Sequence, residues 1–260
     1  MDHDTKDNRL EIVTPGTEED DFLARRRART KTPPKSSCTR CGSCCTSGTP
    51  VLLKDDLALF ADGTLSHEAL YAVREGELLW SVRDEDYYEA PLELIKVKGK
   101  DDSAVCVFYS PETGCSVYDK RPLQCREFEC WAPTPPFSGL EERALQREDL
   151  FGTVKVLMDV MGRHNDRCSY ARLADTVRRA EQGEESAVEE VLDMLSYDTY
   201  LRPSIQEQLS VPSDAMDLVL GRPLLQTIEA FGLKVERDGE SYTLVRSDRG
   251  QGTGGGSEAP

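Results

Sequence analysis

Residues 38–45 read Cys38-Thr39-Arg40-Cys41-Gly42-Ser43-Cys44-Cys45, a C-x2-C-x2-C-C run in a chain of 260 residues that holds nine cysteines and three histidines. Two cysteines two residues apart can place both sulfurs on one ion, because the turn between them brings their Cβ atoms to the same side. The glycine after the second lets the backbone take positive φ and turn N–H groups back toward the sulfurs. Extended to Cys44, the run also has the spacing of the first three ligands of a bacterial ferredoxin cluster. Spacing leaves a zinc knuckle and an iron–sulfur centre both open. Adjacent side chains tend to diverge, so Cys44 and Cys45 are expected not to share one tetrahedral ion. One of the two then serves a second metal or packs in the core as a buried thiol.

The run supplies three or four sulfurs, and the remainder must come from far along the chain. Cys106, Cys115 and Cys125 are the natural completions, since a hairpin and a helix start are expected to present them together. Cys130, beside Trp131, and Cys168, with His164 four residues earlier, complete the list of candidate ligands. Cys130 reads equally well as a buried structural thiol, Cys168 as a last ligand placed at a helix end in a polar loop, and His164 more readily as an ordinary surface or core histidine than as a ligand. Eight thiolates would make two four-sulfur sites or one two-metal cluster. Thiolates select zinc, copper(I) or iron–sulfur chemistry over magnesium or calcium, so the expected cofactor is zinc or iron, an iron–sulfur cluster included. A divalent ion on four thiolates carries about −2 and calls for cations around it. Arg121 and Arg126 flank Cys125 and are the candidates for that outer shell, with Arg40 inside the first run as a weaker one.

The formal net charge is −16. That argues against a broad nucleic-acid surface, which needs net positive faces, and disfavours anionic lipid headgroups. Asp2, His3, Asp4 and Thr5 follow Met1, so no basic and apolar leader is visible. No stretch approaches the roughly 18 apolar residues of a membrane span. The expected location is the cytoplasm, where thiols stay reduced and clustered cysteines bind metal or catalyse more often than they form disulfides. An odd total of nine also suits a disulfide framework poorly.

Along the chain, residues 1–36 read as a charged, disordered tail. Glu18 to Asp21 are acidic and Arg25 to Lys31 basic, with Pro33 and Pro34 behind them. The run 38–45 is loop-like. Helical spacing follows at Leu53, Leu57 and Phe60, ended by Gly63, and again from Ser66 through Ala69, Leu70 and Val73. A strand is expected over 92–98, and a hairpin from Val105 to Tyr118 around Ser110-Pro111-Glu112-Thr113-Gly114. Asp119 can cap a short helix with Pro122 in its first turn. After a proline-rich loop at 133–139, helices are expected near 141–162, 170–182, 185–200 and 213–231. These are broken at Gly162, Gly183 and Gly221-Arg222-Pro223. A terminal hairpin turns at Asp238-Gly239, and a Gly-rich tail runs from 249. The expected organisation is a tail at 1–36, a cysteine-cluster domain at 37–170, a helical region with the hairpin at 171–248, and a tail at 249–260.

Cys38-x2-Cys41-Gly42-x-Cys44-Cys45, then Cys106, then Cys115-Ser116-Val117-Tyr118-x2-Arg121-Pro122-x2-Cys125-Arg126, resembles the cysteine-cluster proteins of the YkgJ type, a zinc- or iron-chelating family. The resemblance covers about residues 37–131, with both halves of the motif in order. Cys130 stands where that motif commonly ends in an apolar residue or proline, and Cys168 lies outside it. The resemblance implies a metal-chelating domain. Flagellin lysine N-methylases look similar in their cysteine pattern, which implies a second reading: a metal- or iron–sulfur-dependent enzyme acting on protein side chains. No glycine-rich strand-to-helix loop for a methyl donor accompanies it. A thiol–disulfide redox protein using Cys38 and Cys41 is a weaker third reading, because the surrounding βαβ context is missing.

The expected fold is α+β, a small cysteine-rich domain with short strands on a mainly helical C-terminal region ending in a β-hairpin. The acidic helices after 140 read as solvated faces or as a surface for a protein partner or protein substrate.

Overall fold

The computed structural model describes residues 37–81, 85–130, 139–238 and 241–247. The two tails, nearly all of the proline-rich loop and the tip of the terminal hairpin therefore lie outside the described residues. The chain divides into two compact units, one ending at Thr39 and one beginning at Arg40. Only residues 37–39 of the first are described, and the fold below is that of the second.

Short antiparallel pairs and helices make an α+β fold, as the sequence implies. Leu70–Val73 (β1) pairs with Leu94–Val97 (β4), Leu70 opposite Val97 and Val73 opposite Leu94. The second helix expected after Ser66 is thus a single 3-10 turn, His67–Ala69, leading into a strand. The reason is burial. Leu70, Ala72 and Val73 are all fully covered, and a strand covered on both faces reads as an apolar run without clean alternation, which helical spacing imitates. Leu78–Ser81 (β2) and Asp86–Glu89 (β3) form a hairpin that the sequence did not announce.

Beyond residue 139 the chain is mainly helical. Lys155–Arg167 (α6 after the shorter helices Ser43–Thr46 α1, Leu57–Ala61 α2, Leu123–Glu127 α3, Leu140–Arg143 α4 and Arg147–Phe151 α5) passes straight through Gly162. Glycine costs a helix about 1 kcal/mol relative to alanine, and the face carrying buried Leu157, Met161 and His164 offsets it. Tyr170–Glu181 (α7) is capped by the Ser169 hydroxyl, which accepts from the Arg172 N–H. Glu185–Leu209 (α8) runs nine residues past its expected end and contains Pro203. Ile205 there is buried in one cluster with Leu157, Met161 and Met216, so tertiary packing holds the helix across the proline. Met216–Leu220 (α9) and Leu224–Thr227 (α10) flank the bend at Gly221-Arg222-Pro223. The chain then forms the hairpin Leu233–Asp238 (β7) with Ser241–Arg246 (β8).

Two cores matter for the cysteines. One joins Leu52, Leu65, Leu70, Ile95, Val97, Leu145 and Leu218 to Cys106, with Cys45 and Tyr109 packed at its edge. The other joins Tyr170, Leu173, Val191, Met194, Leu224 and Ile228 to Cys168. A buried polar network ties α6, α8 and α10 together. Asp198 bonds His164 Nε2 at 2.8 Å, takes Arg202 at 3.0 Å and accepts the Leu224 N–H at 2.9 Å. Burial would raise its carboxyl, but the His164 hydrogen bond and the Arg202 charge outweigh that and hold it below the carboxylate range. Burial, aided by Arg74 and Arg202, pushes the His164 imidazole below its ordinary value despite the bond to Asp198.

Both shifts have the same sign for stability. The folded state prefers an ionised Asp198 and a neutral His164, so protons bind the unfolded chain more readily and acid weakens the fold. Stability in urea should fall as pH drops below about 6.5 and fall further below about 4, the unfolded values of histidine and aspartate. Asp198→Ala should cost about 3–5 kcal/mol at neutral pH by stranding its buried partners and should remove the limb below about 4, while the limb below about 6.5 persists, because the His164 imidazole loses the partner that opposes its depression.

Candidate metal centre

The run 38–45 is not a plain loop. Gly42, at φ 79°, turns the chain into the single helical turn α1, closed by the Thr46 N–H to the Gly42 carbonyl at 3.0 Å. A Cβ at Gly42 would overlap the Tyr109 side chain, so glycine is required there both for its dihedral and for the space. Cys44 and Cys45 sit in the middle of this turn. The Cys106 N–H donates to the Cys45 carbonyl at 2.8 Å, stitching the first cysteine run to a segment sixty residues away.

Cys106 is itself fixed by a bridge to Gly99 and by the Val107 N–H to the Lys98 carbonyl at 3.1 Å. Three residues on, Tyr109–Ser110 (β5) pairs with Gly114–Cys115 (β6), which sets Cys115 opposite Tyr109. Cys125 lies on α3. Asp119, the expected cap, plays no such part here. Instead the fully buried Asp56 accepts the Leu123 N–H at 2.8 Å and the Leu53 N–H at 2.9 Å. The Gln124 side chain accepts the Val51 N–H at 2.6 Å. Two side chains thereby latch the helix carrying Cys125 onto the segment just after the first cysteine run. Asp56 and Gln124 were missed from sequence, because a cap contributed from 67 positions away leaves no local signal.

Cys44, Cys45, Cys106, Cys115 and Cys125 are within electrostatic reach of one another. Burial first, and then the neighbouring thiols, push Cys125 up to about 12 and Cys45 up to about 12, and raise Cys106. Crowded thiols disfavour a second negative charge among them, whereas a bound cation inverts that balance and deprotonates its thiol ligands outright. The Cys44 and Cys45 sulfurs are 3.9 Å apart. The expected divergence of these two is therefore not met. Their Cβ atoms are about 100° apart on the helix, and rotation about χ1 brings both sulfurs to one side. Two sulfurs on one zinc at about 2.3 Å, with tetrahedral angles, stand about 3.8 Å apart. Among the described residues no three His, Cys, Asp or Glu side chains surround a single point at ligand distance. The donor chemistry and the shared neighbourhood fit a thiolate-bound metal.

Cys41 is exposed, with its sulfur 3.4 Å from the Ser43 hydroxyl, and Cys38 is half-buried in the first unit. The Arg40 and Arg121 guanidiniums lie 3.7 and 4.0 Å from the Tyr118 ring centroid. At such distances two guanidiniums cannot share one face, so they sandwich the ring. The stack joins the first run to the segment before Cys125. Arg126 is exposed, and the group its charge lowers is Asp56.

Residues 37–149, less than half of the chain, match the family model CxxCxxCC, described as "Putative zinc- or iron-chelating domain". This segment is similar to that family. No curated protein and no solved structure matches the chain. The matched segment contains every cysteine except Cys168.

Cys168 stands apart. It is fully buried in the other core, its thiol points to the Met194 carbonyl at 3.6 Å, and burial pushes it up to about 11. His164 is engaged with Asp198, and His67 packs between Phe60 and Phe151, 5.8 Å from each ring. Cys130 is exposed at the end of a described segment. The Gly42 geometry yields a direct check: Gly42→Ala should lower stability by about 1–3 kcal/mol through an unfavourable dihedral and a clash. Thermal or urea denaturation reads this, and an unchanged midpoint would contradict the described turn.

Proposed function

We propose that the matched segment chelates zinc or iron in the cytoplasm, with Cys45, Cys106, Cys115 and Cys125 as the thiolates that hold the ion. The observation that carries this reading is the meeting of three distant segments. The Cys106–Cys45 backbone bond and the Asp56 and Gln124 latches draw them together, and burial with the neighbouring thiols raises Cys45, Cys106 and Cys125. Four soft donors at the edge of an apolar core suit a closed site, in which metal binding adds directly to folding stability. The ion would supply the positive charge that lets buried thiols ionise. The chain's own part is to bring the sulfurs together, to limit water through Leu52, Ile95 and Val97, and to place the Arg40–Tyr118–Arg121 stack nearby. Among the described residues no helix is long and apolar enough to cross a membrane.

Anaerobic purification followed by metal analysis should find about one zinc or iron per chain. Broad absorption near ~400 nm together with acid-labile sulfide would assign the iron to a cluster, and colourless protein with zinc to a simple tetrathiolate. Cys106→Ser and Cys125→Ser should each reduce the metal content at least tenfold. Cys168→Ala should retain it, because that thiol belongs to the other core. Metal-free wild-type protein, or equal loss in Cys168→Ala, would contradict the assignment.

A further inference from the structure

The cysteines of the second unit differ sharply in their access to solvent. Cys106 is 8% exposed, and Cys45, Cys115 and Cys125 are half-buried, whereas Cys41 and Cys44 lie open on the surface. Both open thiols belong to the run that enters α1, and Cys44 immediately precedes the inward-facing Cys45. Their two sulfurs are separated by 3.9 Å, the edge of a tetrahedral thiolate shell. One ion can therefore touch an outer and an inner sulfur at the same moment, the geometry that ligand exchange requires.

We propose that Cys44, assisted by Cys41, forms a surface capture site that passes a thiophilic divalent cation inward through Cys45 to the buried thiols. The inference rests on the metal-chelating reading above and adds a route to it. At capture, Cys41 and Cys44 each lose a proton to water as their sulfurs bond the ion. At handover, Cys45 and then a deeper thiol form new bonds to the ion and release protons. The outgoing sulfurs of Cys44 and Cys41 break theirs and take protons back. Charge and protons balance for the transfer itself, and no oxidant or reductant enters. The arrangement also runs in reverse. The same exposed pair offers the held ion to an external thiol or chelator, so an ion in a closed, stabilising site can still be exchanged.

The test uses the full chain, stripped of metal under anaerobic reducing conditions, with zinc alone as the probe. Stopped-flow mixing with a zinc-loaded chromophoric chelator gives the uptake rate, and equilibrium titration gives stoichiometry and affinity. Cys44→Ser and the double variant Cys41→Ser/Cys44→Ser should slow uptake, and release to excess chelator, at least tenfold. Final stoichiometry, and affinity within about threefold, should be unchanged, as should the circular dichroism spectrum. Rates equal to wild type would overturn the relay. A loss of affinity as large as in Cys125→Ser would also overturn it, by making Cys44 a ligand of the resident ion. Failure of wild-type protein to bind any zinc or iron would instead sink the chelation reading itself, an outcome distinct from both.

Discussion

One backbone hydrogen bond, from the Cys106 N–H to the Cys45 carbonyl, joins the two halves of the cysteine pattern. It lies where the first core meets the surface, with Leu52 and Ile95 behind it and Tyr109 beside it. Without this contact the single turn Ser43–Thr46 would have only its own short-range bonds, and a helical turn of four residues is unstable alone. The latches from Asp56 and Gln124 work in the same sense, holding the Cys125 helix against residues 51–56. These backbone and side-chain contacts hold the segments close, and the ordering entropy of joining distant segments is offset by apolar burial in the adjoining core.

That closeness carries an electrostatic cost in the thiols themselves. Burial and mutual repulsion raise Cys45, Cys106 and Cys125, so their protonated forms are favoured over their thiolates. On the proposed reading, metal binding and thiol ionisation are one event, and affinity weakens as pH falls because protons compete for the same sulfurs. The polar network centred on Asp198 serves a different end. It braces the helical region around the second core, where Cys168 is a packing residue among Tyr170, Leu173 and Met194.

Features that depend on local chemistry were legible in the sequence. Gly42 as a positive-φ turn, the bend at Gly221-Arg222-Pro223 and the terminal hairpin follow from short-range rules, while the hairpin expected with arms at 105–109 and 116–118 is confined to Tyr109–Ser110 and Gly114–Cys115. Features decided by tertiary contact were not. Leu70–Val73 reads as helix because a doubly buried strand loses its alternation, and α8 outruns its expected end because Ile205 is anchored in a core. The cap on the Cys125 helix comes from Asp56, not from the neighbouring Asp119. Among the candidate ligands, sequence spacing brought Cys106, Cys115 and Cys125 to the first run, but it could not separate Cys168, whose surroundings are set by α7 and α8. Of the two arginines chosen from their position beside Cys125, Arg121 stacks on Tyr118 while Arg126 lies exposed and acts on Asp56.

The central claim is that sulfurs from three separate segments surround one ion. X-ray absorption at the metal edge of the anaerobically purified protein addresses it directly. The account predicts a first shell of four sulfurs at about 2.3 Å, falling to three in the Cys125→Ser variant when it is loaded with excess zinc to offset its weakened binding. A shell dominated by nitrogen or oxygen, or a sulfur count that ignores the Cys125 substitution, would contradict it.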